Sequence, residues 1–236
     1  MTEVEWLACA NPTPMLWFGA DGSGERKTRL FAVACCRRIW NLLLDLRSKS
    51  AIEAAEQIAE GLRCSGDPWS DAMNARTIQP TRKAKHAANA AAFSIDGSHL
   101  LNLQKSQQYK VVFSANVAAW EAAWAVGDED WVPADDLTAG RDYNRTEAER
   151  TVQARLLRDI FGNPFRPVLV DPAWLTTTVA GLAQSIYDDR AFDRLPILAD
   201  ALEDAGCTNV DMLNHCRLPG EHVRGCWVVD LLLGKK

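Results

Sequence analysis

Apolar residues recur at steps of three and four along most of this chain, and that spacing constrains its fold more than any other feature. Phe31, Cys35, Ile39, Leu42 and Leu46 would line one face of a helix running from about Arg26 to Leu46. Ser50 with Glu53 reads as a capping box opening a second helix, striped by Ile52, Ala55, Ala59 and Leu62, after a turn at Arg47–Lys49. An alanine-rich third helix is expected from about Arg82 to Phe93, ended by Asp96-Gly97-Ser98. Phe113, Val117, Trp120 and Trp124 form the next stripe.

The C-terminal part is punctuated in the same way. Thr146 to Phe161 reads as a helix stopped by Gly162-Asn163-Pro164. Asp171-Pro172 looks like a cap and first residue, followed by Val179, Leu182, Ile186 and Tyr187 on one face. Leu195, Leu198 and Leu202 mark another helix, closed by Gly206, and a short one should run to Cys216 before the turn Leu218-Pro219-Gly220. Val223–Leu233 would suit a buried strand, but no convincing partner strand exists for its backbone groups, so a final buried helix is expected. The fold class is therefore all-α, a bundle-like array of about eight to ten helices. Gly127–Asn144, with Pro133 and many acids, reads as an acidic loop or linker. It would separate an N-terminal region, 1–126, from a C-terminal region, 145–236, unless the two form one continuous domain.

Charge and cysteine usage narrow the function classes. The net charge of −5 argues against wholesale nucleic-acid binding, although Glu25–Ser50 holds seven Lys or Arg against two acids. That basic Arg26–Lys49 face keeps a nucleic-acid-associated role as a lesser alternative. Seven cysteines at irregular spacing, with no export signal in the first residues, point to reduced thiols and a cytoplasmic location. The apolar runs are too short for a membrane span.

Several segments carry a resemblance. Glu5-Trp6-Leu7-Ala8-Cys9, Arg29 to Trp40, Phe161-Gly162-Asn163-Pro164-Phe165-Arg166-Pro167 and His222-Val223-Arg224-Gly225-Cys226-Trp227-Val228-Val229-Asp230 resemble an uncharacterised bacterial family rich in planctomycetal paralogs. They cover the first and last thirds of the chain. The resemblance implies no activity.

The Cys/His cluster near the C-terminus is the sharpest chemical feature. Cys207, Cys216, His222 and Cys226 are the candidate metal ligands, with His215 as an alternative to Cys216 and zinc as the candidate cofactor. His222 and Cys226 would share a face if both lie on one helix. An enzyme built on Cys226 with His222, or Cys216 with His215, is the catalytic version of the same cluster. No nucleotide-binding, hydrolase or metalloprotease motif accompanies it. The leading expectation is thus a non-enzymatic helical interaction or scaffold module with a protein partner. Arg37, Arg38, Trp40 and Arg224 are its candidate surface residues, since Trp and Arg dominate binding hot spots.

Overall fold

The computed structural model describes residues 1–20, 24–95, 107–129, 132–134, 140 and 142–235. Among these, the regular structure is helical, with one isolated antiparallel bridge between Thr81 and Pro133. The all-α class is as expected, with twelve α-helices among the described residues where eight to ten were anticipated. The surplus consists of short helices whose caps are clear but whose apolar stripes are brief. The chain divides into two compact units, Met1–Leu157 and Arg158–Lys236.

The N-terminal unit begins with two such short helices, α1 (Glu3–Ala8) and α2 (Pro12–Gly19). Thr2 and Glu5 form a reciprocal capping box on α1, and Asn11 caps α2 ahead of Pro12. Next come α3 (Gly24–Arg38), α4 (Leu46–Ala59), α5 (Pro68–Arg76), α6 (Arg82–Ile95) and α7 (Gln107–Gly127). Most of α8 (Tyr143–Phe161) belongs here too, while its last turn lies in the second unit. Asp67 and Pro68 open α5, a cap-plus-proline signal. The anticipated end of α6 at Asp96-Gly97-Ser98 lies outside the described residues.

The continuous helix expected over Arg26–Leu46 is instead broken. It stops at Arg38, a single 3-10 turn spans Trp40–Leu42, and Asp45 caps a new helix through a 2.8 Å bond from the Arg47 amide. Arg47–Lys49 is thus the first turn of α4, not a connection, and Ser50 is interior to it. Leu46 is 76% exposed, so the buried stripe ends at Ile39. Local capping by an aspartate outweighed the apolar register.

The core of this unit is built from small residues. Ala84, Ala87, Ala88, Ala91 and Ala92 of α6 and Ala115, Ala118, Ala119, Ala122 and Ala123 of α7 are all buried. The two helices pack along each other, with α3 against both. Alanine surfaces let backbones approach closely, so dispersion contacts replace bulky interdigitation. The face that packs is therefore not the one marked by Phe113, Val117, Trp120 and Trp124. Those four are half-buried or exposed.

Charged groups fasten the start of α6 to the end of α7. Arg82 pairs with fully buried Asp128 at 3.0 Å, and His86 Nδ1 meets Glu121 at 2.5 Å. Arg82 also donates from its amide to Val132 O and from its guanidinium to Gly140 O, while the Asp142 amide donates to Gly127 O. The described parts of 127–144 are thus bonded onto the N-terminal unit, and the division between units falls later, within α8.

In the C-terminal unit a 3-10 turn at Pro172–Trp174 precedes α9 (Thr177–Asp189), α10 (Leu195–Asp204), α11 (Val210–Arg217) and α12 (Trp227–Leu232). Asp171 caps the 3-10 turn, and Thr176 caps α9. The expected stripes are the core: Val179, Ile186, Tyr187, Leu195, Leu198 and Leu202 are buried with Met212, Val228 and Val229. Gly206, at φ +87°, ends α10, and Gly162, at φ +68°, ends α8.

Candidate metal centre

Four side chains of the C-terminal unit converge: Asp159, His215, His222 and Cys226 each place one ligand atom within 4.8 Å of the others. This group could hold a metal ion. The fold delivers them from three places: Asp159 from the last turn of α8, His215 from α11, and His222 with Cys226 from the irregular segment 218–226. Gly225, at φ +98°, prevents that segment from continuing α12 backwards. His222 and Cys226 therefore do not share a helix face, as they would if both lay on one helix, and α12 starts only at Trp227 rather than at Val223. They are brought together by a turn instead.

The geometry has one centre. His215 Nε2 lies 3.2 Å from Cys226 Sγ and 3.1 Å from Asp159 Oδ1. His222 Nδ1 lies 2.6 Å from the same Oδ1. The other carboxylate oxygen, Oδ2, accepts the Val223 amide at 2.9 Å, which orients the group and leaves Oδ1 aimed inward. The His215 and His222 rings stand edge to face at 4.8 Å, and the Trp227 ring lies 5.2 Å from His215. Cys226 is fully buried and Asp159 nearly so, while the imidazoles reach toward the surface, 17% and 11% exposed.

Electrostatics follow from that burial. Desolvation raises the Cys226 thiol well above its ordinary value, and the Asp159 charge adds to it, opposed by the Val229 and Val228 amides. Desolvation also works against the ionised Asp159. Hydrogen bonds from His215 and His222 nonetheless hold its carboxyl below the ordinary carboxylate value.

Around His215 the geometry differs from that of a Cys–His relay. A catalytic relay uses opposite imidazole nitrogens, one for the nucleophile and one for the orienting carboxylate. Here the same Nε2 of His215 faces both the sulfur and the carboxylate. One nitrogen aimed at two acids suits a shared cation.

Of the four sequence-derived ligands, the structure brings together His222 and Cys226. Cys207 and Cys216 are buried in the hydrophobic core instead. Successive helical residues point about 100° apart, so with His215 facing the centre its neighbour Cys216 turns inward. Burial pushes the Cys216 thiol up to about 12, with Asp159 and Cys207 adding to the rise. Asp159 was not anticipated, because no spacing rule links it to residues so distant in sequence. A signal did exist: an acid in the last turn of a helix opposes the macrodipole, and its neighbour one turn back, Leu156, is apolar.

The candidate interaction residues are engaged within the fold. Arg37 pairs with Glu56 at 2.6 Å, and Arg38 forms a two-pronged pair with Glu149 at 2.7 and 2.9 Å. Trp40 is flanked by Arg37 and Lys49 at 5.3 and 5.6 Å. Arg224 donates to Tyr187 O and stacks 5.0 Å from its ring. Along the basic face, Arg26 pairs with Glu60, buried Arg29 donates to Ile95 O, and Arg47 pairs with Asp45. Its five arginines are thus committed to intramolecular partners. Among the described residues, no helix is long and apolar enough to cross a membrane.

No family model matches the chain, and no curated protein or solved structure does either.

Proposed function

We propose that this protein is a non-enzymatic helical scaffold whose C-terminal unit holds one zinc ion through Asp159, His215, His222 and Cys226. The convergence of His215 Nε2 on both Cys226 Sγ and Asp159 Oδ1 carries this reading. A thiolate, two imidazoles and a carboxylate form a mixed N/O/S set that suits zinc. Tetrahedral bonds of about 2.0–2.3 Å place ligand atoms roughly 3.3–3.6 Å apart. The 3.2 and 3.1 Å separations are close to that, the 2.6 Å pair has to open, and the widest separations in the group, up to 4.8 Å, have to close. Charge supports it as well: a dication with one thiolate, one carboxylate and two neutral imidazoles sums to zero, which a buried site favours. Four protein ligands leave no open position for an activated water, so the role is structural.

Elemental mass spectrometry of the purified full chain tests this. About one zinc per chain is expected, lost in Cys226→Ser and in His215→Gln. A wild-type chain that carries no metal and takes up none from added zinc would refute it.

A further inference from the structure

Resting on that reading, we propose that the C-terminal unit is a metal-dependent folding unit: segment 218–226 and α12 take their places only when the site is loaded. The unit has about eighty residues, a size at which a hydrophobic core alone leaves slim stability.

The segment from Leu218 to Cys226 has no regular secondary structure, and Leu218 to Glu221 are exposed. Its ties run to the ligand set: His222 and the Val223 amide both meet Asp159, and Cys226 meets His215. Beside these, the Leu218 and Cys226 amides make local bonds to Asn214 O and Val223 O, and Arg224 donates to Tyr187 O and lies over its ring.

What lies beyond depends on this segment. The helix α12 has six residues, too few to persist by itself. Yet Val228, Val229 and Leu232 complete the core against α9 and α10. A metal bound at the centre ties α8, α11 and the segment together across a long loop, and the segment then seats α12. Because unfolded chain offers no assembled site, binding free energy becomes folding free energy. The inference therefore concerns regulation: free zinc sets how much of the chain carries a folded C-terminal unit.

Hydrogen exchange on the full chain, zinc-loaded and after chelation, decides it, with metal content measured on the same samples. With free zinc about a hundredfold above its Kd, chelation should speed exchange in α11, segment 218–226 and α12 by about a hundredfold. The helices α3, α4 and α6 of the N-terminal unit should keep their protection. If chelation removes one zinc per chain and the C-terminal amides exchange as before, the coupling is overturned while the binding site stands. If no zinc is found or taken up, both fall together.

Discussion

Replacing Gly162 by alanine probes how tightly the ligand-bearing end of α8 is held. Gly162 closes that helix at φ +68°, with its amide bonded to Arg158 O at 3.0 Å. A left-handed conformation costs alanine about 1–2 kcal/mol, offset by about 0.4–1 kcal/mol of lost freedom in the unfolded chain. A Cβ here would also sit 3.1 Å from Cγ and 3.3 Å from Cδ2 of Trp227. Pressing a methyl group into a packed ring adds about 1–3 kcal/mol. Gly206 supplies the control: it ends α10 in the same unit at φ +87°, and a Cβ there meets nothing within 4 Å. Gly206→Ala should therefore cost about 0.5–1 kcal/mol and Gly162→Ala about 2–4 kcal/mol. The slowest amides of α9 and α10, measured by native-state exchange at saturating zinc, report the opening free energy of this unit. Because Trp227 lies beside His215, Gly162→Ala should also weaken zinc binding while Gly206→Ala should not. Equal losses at the two glycines would refute the steric argument and show that Trp227 yields freely.

Cobalt(II) in place of zinc should give the strong visible absorption of a four-coordinate site, with a thiolate charge-transfer band absent from Cys226→Ser; weak six-coordinate absorption would contradict the ligand set. In the N-terminal unit, Asp128→Asn leaves Arg82 without its buried counter-ion and should destabilise by about 3–5 kcal/mol, whereas Arg82→Met with Asp128→Leu should recover most of that loss. Urea unfolding followed by exchange in α6 and α7 measures both. Burial, opposed by the Ser94 hydroxyl and the Arg37 charge, pushes the Cys36 thiol up from about 9 to about 12. Its neutral form is favoured by folding, so that stability is full below pH 9 and is lost as pH rises toward 12, about 4 kcal/mol in all. Wild type should lose N-terminal stability across that window more steeply than Cys36→Ala. Finally, half-buried Cys9 and Cys64 should react first with a thiol reagent, ahead of Cys36 and Cys216, and equal rates would show that the core opens readily.

What the sequence alone determined is local: which stretches are helical and where most of them stop. Caps and glycines act within a few residues, so Gly162, Gly206 and the stripe from Val179 to Leu202 could be read directly, whereas Asp171 caps a separate 3-10 turn and Thr176, not Asp171, opens α9. The same logic extended to α1, α2 and α5, whose caps were present but whose short apolar runs raised no periodic signal. Tertiary structure decided everything that depends on a partner surface. Bulky residues mark a stripe most visibly, yet α7 buries its alanines, because α6 offers an alanine face that rewards close approach over volume. The candidate site divides in the same way. His222 and Cys226 stood out because metal-ligand residue types cluster near the C-terminus. Choosing His215 over Cys216 required the rotation of α11, and enlisting Asp159 required α8 and segment 218–226 to meet in space. Ligands are selected by distance in the folded chain, and sequence spacing reports that distance only within a single element.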